Sequence, residues 1–218
     1  MANVVVCLLT YKRTEYALAT LKGLAENLQS TEPVSLCIAD NGSPDEHVDA
    51  LTAFSYTIPL FKETIVNLAY GGGYGFNYNK ATQVLHDRFQ IIIPLEDDWV
   101  LQRPFCIDEY VQILQEHSAC IRLGNIGVVQ GIKANLVKIR KHLFWELDPQ
   151  SRDQYIFCGG PRIETVAWER AVGPWPKNLP AGEVELRVGS RIAARSNVLW
   201  PIEHYPGRLF AHIGEIRA

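Results

Sequence analysis

Glu96-Asp97-Asp98 sets three carboxylates at the end of Ile91-Ile92-Ile93-Pro94-Leu95, an apolar run of the kind that forms a buried strand. Three adjacent acids at a strand tip repel one another unless a cation stands between them. Hard divalent cations prefer oxygen ligands and commonly bridge one or two carboxylates to substrate phosphates. The chemistry on offer is therefore a metal-phosphate site, with an acidic surface turn as the plainer reading of the triplet alone. Polar residues end other apolar runs as well. Thr10-Tyr11-Lys12-Arg13 follows Val4 to Leu9, Asp40-Asn41-Gly42-Ser43 follows Val34 to Ala39, and Asn67 ends the run from Thr64. Gly71-Gly72-Gly73-Tyr74-Gly75 is not a P-loop, because no Gly-Lys-Ser/Thr follows. A glycine-rich turn opening a helix still brings backbone amides close to a ligand.

The elements that must position these residues alternate. Strands are predicted over Val4–Leu9, Val34–Ala39, Thr64–Asn67 and Gln90–Leu95. A helix capped by Thr14 follows the first, with Leu18, Leu21, Ala25 and Leu28 on one face. Others run from Asp45 towards Phe54 and from the glycine run to His86. This order predicts an α/β fold, a mostly parallel sheet flanked by helices. Ligands on such sheets bind beyond the carboxyl ends of the strands, where these polar residues fall. The second half reads less regularly. It offers a helix over Ile107–His117, a strand over Ile126–Gln130, a hairpin within Val137–Glu146, and Tyr155 to Cys158 leading into Gly159-Gly160-Pro161. Helices are expected around Glu164–Ala171 and from Glu183 to Arg195, on either side of Gly173-Pro174-Trp175-Pro176. No repeat or linker interrupts the chain, so one domain over 1–218 is expected.

Composition bounds the rest. The 218 residues suffice for one well-cored domain, and a net charge of −3 gives no global basic field for nucleic acid or anionic lipid. Five cysteines (Cys7, Cys37, Cys106, Cys120, Cys158) are odd in number and never spaced as Cys-x-x-Cys, so they read as reduced thiols. The first residues lack the basic flank of a signal peptide, and no apolar stretch reaches transmembrane length. A cytoplasmic protein with no integral membrane segment is expected.

Taken in order, these motifs resemble the inverting glycosyltransferases of the GT-A fold, the large family-two type that uses nucleotide sugars. The resemblance rests on Val4 to Arg13, Ala39 to Ser43, Asn67 with Gly71 to Asn79, and Glu96-Asp97-Asp98. It continues through Gly159-Gly160, Gly182 to Leu186 and Phe210-Ala211-His212-Ile213-Gly214. It implies a nucleotide-sugar-binding half (1–101) and an acceptor-binding half (102–218). Donor contacts would come from Thr10, Tyr11, Arg13, Asp40, Asn67, Gly72, Gly73, Asn79, Glu96 and Asp97. Asp40 would meet the nucleobase, although it also suits an Asx-turn onto Gly42. Asp98 and His212 would hold Mn²⁺ or Mg²⁺, with Glu96 standing where the family's Asp-x-Asp motif has its first acid.

The family's base is an acid before a helix, which aligns with Glu183, or with Glu185 as the alternative. An ordinary helix-start glutamate is the plainer reading. Gly159, Gly160 and Trp175 fall on the acceptor side, Trp175 equally as a core residue. The implied activity is metal-dependent sugar transfer from a nucleoside-diphosphate sugar to a hydroxyl of a glycan, lipid, protein or hydroxylated nucleobase in DNA. A nucleotidyltransferase of similar fold and a non-catalytic nucleotide-sugar-binding module are the rival readings.

Overall fold

The computed structural model describes residues 2–117, 119–124, 133–148, 150–151, 159–192, 197–202 and 209–214. The chain begins with β1 (Val4–Thr10), α1 (Thr14–Asn27), β2 (Leu28–Gln29), β3 (Val34–Asp40), α2 (Asp45–Ser55), β4 (Phe61–Leu68), α3 (Gly73–Leu85) and β5 (Ile91–Glu96). Every residue of β1 and β3 is buried, as continuous apolar runs require when helices cover both faces of a sheet. At the edge, β4 alternates between partly buried and exposed positions instead.

The chain continues through β6 (Trp99–Leu101), β7 (Phe105–Cys106), α4 (Asp108–Glu116), β8 (Ala119–Arg122), β9 (Ala134–Ile139), β10 (His142–Leu147), β11 (Arg162–Thr165), α5 (Val166–Val172), α6 (Ala181–Ile192), β12 (Asn197–Pro201) and β13 (Phe210–His212). One sheet has the order β4-β3-β1-β5-β11-β8-β12-β10-β9. Its first four strands are parallel, and β11 turns antiparallel against β5. The expected hairpin is β9–β10. A separate ribbon pairs β13 with β6 and sets His212 opposite Trp99. One face of the sheet packs on α1, α2 and α4 through Leu8, Leu21, Leu51 and Ile113, and the other on α3, α5 and α6 through Cys37, Tyr78, Trp168 and Val188. Cys7, Cys37, Cys106 and Cys120 are free thiols. Among the described residues no helix is long and apolar enough to cross a membrane.

Three local expectations differ. Arg13, not Thr14, is the N-cap of α1, because the Thr14 hydroxyl is engaged with His47 Nδ1 at 2.8 Å. The buried stripe of α1 runs through Ala17, Leu21 and Leu24, while Ala25 is exposed. Glu164 lies in β11, because the Arg162-Ile163-Glu164 alternation suits a strand. The helix starts only at Val166, capped by Thr165, whose Oγ1 accepts from Trp168 N at 3.0 Å. The expected strand at 126–130, the segment 155–158 and the end of the last helix at 193–195 lie outside the described residues.

Candidate active site at the carboxyl edge of the sheet

Register brings the strand ends level. Thr10 pairs with Asp40, Asp40 with Leu68, and Leu9 with Glu96. Part of the repulsion expected among the acids is relieved by the chain itself. Arg13 bridges two of them, donating from Nη2 to Asp97 Oδ1 and from Nη1 to Asp98 Oδ2, the latter at 2.7 Å. Asp97 is 1% exposed, and its Oδ2 accepts from the Thr10 hydroxyl at 3.0 Å and the Tyr11 amide at 3.2 Å. Burial pushes the Asp97 carboxyl up, with Arg13 and these donors opposing. The Thr10 hydroxyl also meets His47 Nε2 at 2.9 Å. His47 was not singled out in the sequence; a lone histidine on an amphipathic helix carries no local signal.

Glu96 behaves differently. Burial, then the charges of Asp98, Glu185 and Asp97, push its carboxyl up to about 8, which favours the protonated form at pH 7. The loop at Gly159 closes over it so tightly that a Cβ there would overlap Glu96 Oε1. The Gly159 amide donates to Glu185 Oε1 at 2.6 Å. Glu185 therefore reaches from α6 back to the acidic tip, and burial raises its carboxyl too. Glu183 lies two residues away in the first turn. Two residues turn a helix by about 200°, which puts the two acids on opposite sides. Val184, Val188 and Ile192 define the buried side, Glu185 borders it, and Glu183 is exposed.

The remaining site residues divide by what holds them. Asp40 forms the Asx-turn, accepting from the Gly42 amide at 2.8 Å, the Ser43 amide at 2.7 Å and the Ser43 hydroxyl. Asn67 keeps a buried Nδ2 with no hydrogen-bond partner, a group that a ligand or water would satisfy. Gly71, Gly72 and Gly73 all have positive φ, and Gly72 at +86° caps α3 in the left-handed conformation. Both ends of the Asn79 amide are bound to Trp175, its Nδ2 donating to the carbonyl at 2.9 Å and its Oδ1 accepting from the amide at 2.8 Å. Asn79 thus positions the loop after α5. Trp175 is 1% exposed and its indole N–H donates to Glu169 Oε1 at 3.2 Å, so its ring packs the core.

Beside it lies a buried ion pair, Arg162 Nε to Glu164 Oε2 at 2.6 Å, with Tyr78 donating to Glu164 Oε1. Period-two alternation along β11 places Arg162 and Glu164 on one face, a signal obscured by the helical reading. Arg162 also donates to the Gly159 carbonyl at 3.4 Å, which ties the pair to the loop over Glu96.

Asp98 and His212, the residues expected to hold a divalent cation, lie together. Asp98 Oδ1 is buried without a hydrogen-bond partner, and its Oδ2 lies 3.3 Å from His212 Nε2. A Cβ on Gly214 would overlap Asp98 Oδ2 and come within 3.1 Å of His212 Nε2, so glycine there leaves this corner open. Among the described residues no group of three or more ligating side chains is assembled. Two protein ligands fit a cation whose remaining positions are filled by phosphate and water.

No protein-family profile and no curated protein matches this sequence. Solved structures do. TarS of S. aureus, residues 1–349 in complex with UDP-GlcNAc, is 16% identical with a TM-score of 0.64, over 91% of this chain and 58% of that one. The mannosyltransferase PcManGT from Pyrobaculum calidifontis, in complex with GDP-Man and Mn²⁺, is 14% identical with a TM-score of 0.57, over 85% and 50%. The bifunctional glycosyltransferase WbbM is 10% identical with a TM-score of 0.58, over 90% and 38%. The chain thus spans less than two thirds of each of these proteins. Its parallel β4-β3-β1-β5 half with an acidic strand tip, continued by a mixed second half, is the GT-A glycosyltransferase fold.

Proposed function

We propose that this chain is a glycosyltransferase that moves a sugar from a nucleoside-diphosphate sugar to an acceptor hydroxyl, with inversion at the anomeric carbon. The observation that carries this reading is the meeting of Arg13, Asp97, Asp98 and His212 with Glu96 and Glu185 at one sheet edge. The fold likeness to TarS bound to UDP-GlcNAc and to a mannosyltransferase bound to GDP-Man and Mn²⁺ supports it.

In this reading residues 1–101 hold the donor and 102–218 the acceptor. Asp40, Asn67 and the turn at Gly72-Gly73 face the nucleoside. Arg13 shifts from the acids to the diphosphate as the donor enters. Asp98 and His212 would hold Mn²⁺ or Mg²⁺, which supplies charge stabilisation for the departing diphosphate when bound. Glu185 is the base: its carboxyl is raised by burial and lies beside the acidic tip, whereas Glu183 stands on the solvent side of α6. The acceptor oxygen forms a bond to the anomeric carbon from the face opposite the donor. The bond from that carbon to the diphosphate oxygen breaks, its electron pair leaves with the diphosphate, and the hydroxyl proton passes to Glu185. A single displacement inverts the configuration. Free thiols and the need for nucleotide sugars suit a cytoplasmic reaction.

Thermal shift with UDP-GlcNAc and GDP-mannose, each with and without Mn²⁺, tests the reading. A donor at 100 times its Kd stabilises the fold by about 2.7 kcal/mol. Stabilisation by at least one nucleotide sugar, stronger with Mn²⁺, followed by release of nucleoside diphosphate on transfer, is the expected result. Release of pyrophosphate would assign the chain to nucleotidyl transfer instead.

A further inference from the structure

Hydrogen-bond register aligns one row of side chains across five strands of the second half. Arg162 pairs with Arg122, and the Leu199–Ile121 pair sets Trp200 level with Arg122. Trp200 then pairs with Trp145, and Trp145 with Leu136. Partners directly opposite in a sheet share a face, so these residues form a single ladder. The row opens outward: Arg162 is 0% exposed, Arg122 3%, Trp145 39% and Leu136 57%. Leu143, 45% exposed, lies on the same face beside its partner Lys138. From α6, Val184 and Val188 cover the face as far as Cys120, Val198 and the edge of Trp200, and Trp145 and Leu136 lie beyond.

The inner end of the row reaches the catalytic corner. The Arg122 guanidinium lies 5.7 Å from the Trp200 ring, and its charge acts on the Glu185 carboxyl. At about 4.8 Å per strand, the accessible part of the row from Trp200 to Leu136 is roughly 10 Å long, the reach of a short oligosaccharide.

We propose that Trp200, Trp145 and Leu136, continuing the row outward from the buried Arg122, form a ledge for a glycan acceptor, which lies along the sheet face with its terminal hydroxyl at Glu185. This rests on the glycosyltransferase reading above and names its acceptor class. An indole offers an apolar face to the C–H side of a pyranose while leaving its edge wet. Lys138 stands exposed at the outer side of the ledge for the hydroxyls. The exposed apolar area argues against other occupants. Taking about 250 Å² as a ceiling for each side chain, the part-exposed Trp145, Leu136 and Leu143 offer at most about 350 Å², less than half of the roughly 800 Å² per partner in a stable dimer. Attraction to an anionic bilayer surface takes several basic residues on one face, and this edge hairpin presents Lys138 alone among its outward charges on that face.

Binding of the 218-residue chain to immobilised hexasaccharides of glucose, N-acetylglucosamine, mannose and galactose, in α and β linkages, tests the ledge. Phosphatidylglycerol–phosphatidylcholine vesicles and light scattering serve as parallel arms. The wild-type protein is expected to bind at least one glycan, with affinity lowered tenfold or more by Trp145→Ala and by Leu136→Ser and largely kept by Trp145→Phe. Circular dichroism confirms that each variant is folded. Absence of glycan binding, glycan binding unchanged in both variants, or vesicle binding or dimerisation that the same variants abolish, overturns the proposal. The donor thermal shift of the wild-type protein separates the two levels. A donor shift without glycan binding removes the ledge and leaves the transferase reading standing, whereas absence of any donor shift removes the transferase reading and the ledge with it.

Discussion

Replacing Glu96 with glutamine probes the acidic tip directly. In the folded protein burial and the charges of Asp98, Glu185 and Asp97 raise the Glu96 carboxyl from an ordinary 4.5 to about 8. Between those two values the folded chain keeps a proton that the unfolded chain has released. The contribution to stability is therefore complete below pH 4.5, declines as pH rises, and is lost above about 8. At 1.36 kcal/mol per pH unit the full loss is about 5 kcal/mol. Glu96 retains some solvent contact, so roughly 2–5 kcal/mol is expected. The variant Glu96→Gln carries no such titration. Its melting temperature relative to wild type should therefore rise between pH 5 and pH 9, by roughly 4–20 °C at 2–4 °C per kcal/mol. Titrating groups that do not interact with Glu96 cancel in that difference. Differential scanning fluorimetry with a chelator at pH 5, 7 and 9 measures it. A difference in melting temperature that is the same at all three pH values would refute the account of a buried, neutral Glu96.

Three further outcomes follow from the geometry. Glu185→Gln should lower kcat by about 10²–10⁴-fold while the donor thermal shift persists, and Glu183→Gln should leave turnover within about threefold; the reverse pattern in a transfer assay returns the base role to Glu183. Gly214→Ala inserts a methyl against Asp98 and His212 and should abolish the extra donor stabilisation by Mn²⁺, read by titrating the metal at fixed UDP-GlcNAc or GDP-mannose. Asn79→Ala removes both hydrogen bonds to the Trp175 backbone and should destabilise the fold by roughly 2–4 kcal/mol in urea denaturation; a loss below about 0.5 kcal/mol would mean that the loop is held by other contacts.

Local pattern carried the first half of the chain. Continuous apolar runs over Val4–Leu9, Val34–Ala39 and Ile91–Leu95, each ending in polar residues, state by themselves that strands are buried on both faces and that their tips converge. Glycine at 72 and 73 states a left-handed turn before a helix, and the Asp40-Asn41-Gly42 sequence a turn closed by a side chain. All of these are properties of a few adjacent residues.

What the sequence left open depends on residues far apart along the chain. Arg13 is separated by some 85 positions from Asp98, yet its guanidinium bridges Asp98 and Asp97. Choosing between Glu183 and Glu185 needs the azimuth of α6 against the sheet, which the alternating acids cannot reveal. The pairing of Asn79 with Trp175 and the row from Arg122 to Leu136 exist only once the strands lie in register. Periodicity specifies which elements form and which face is apolar; the partner each buried polar group finds is decided by packing, where distant side chains must satisfy one another's charge and hydrogen bonds.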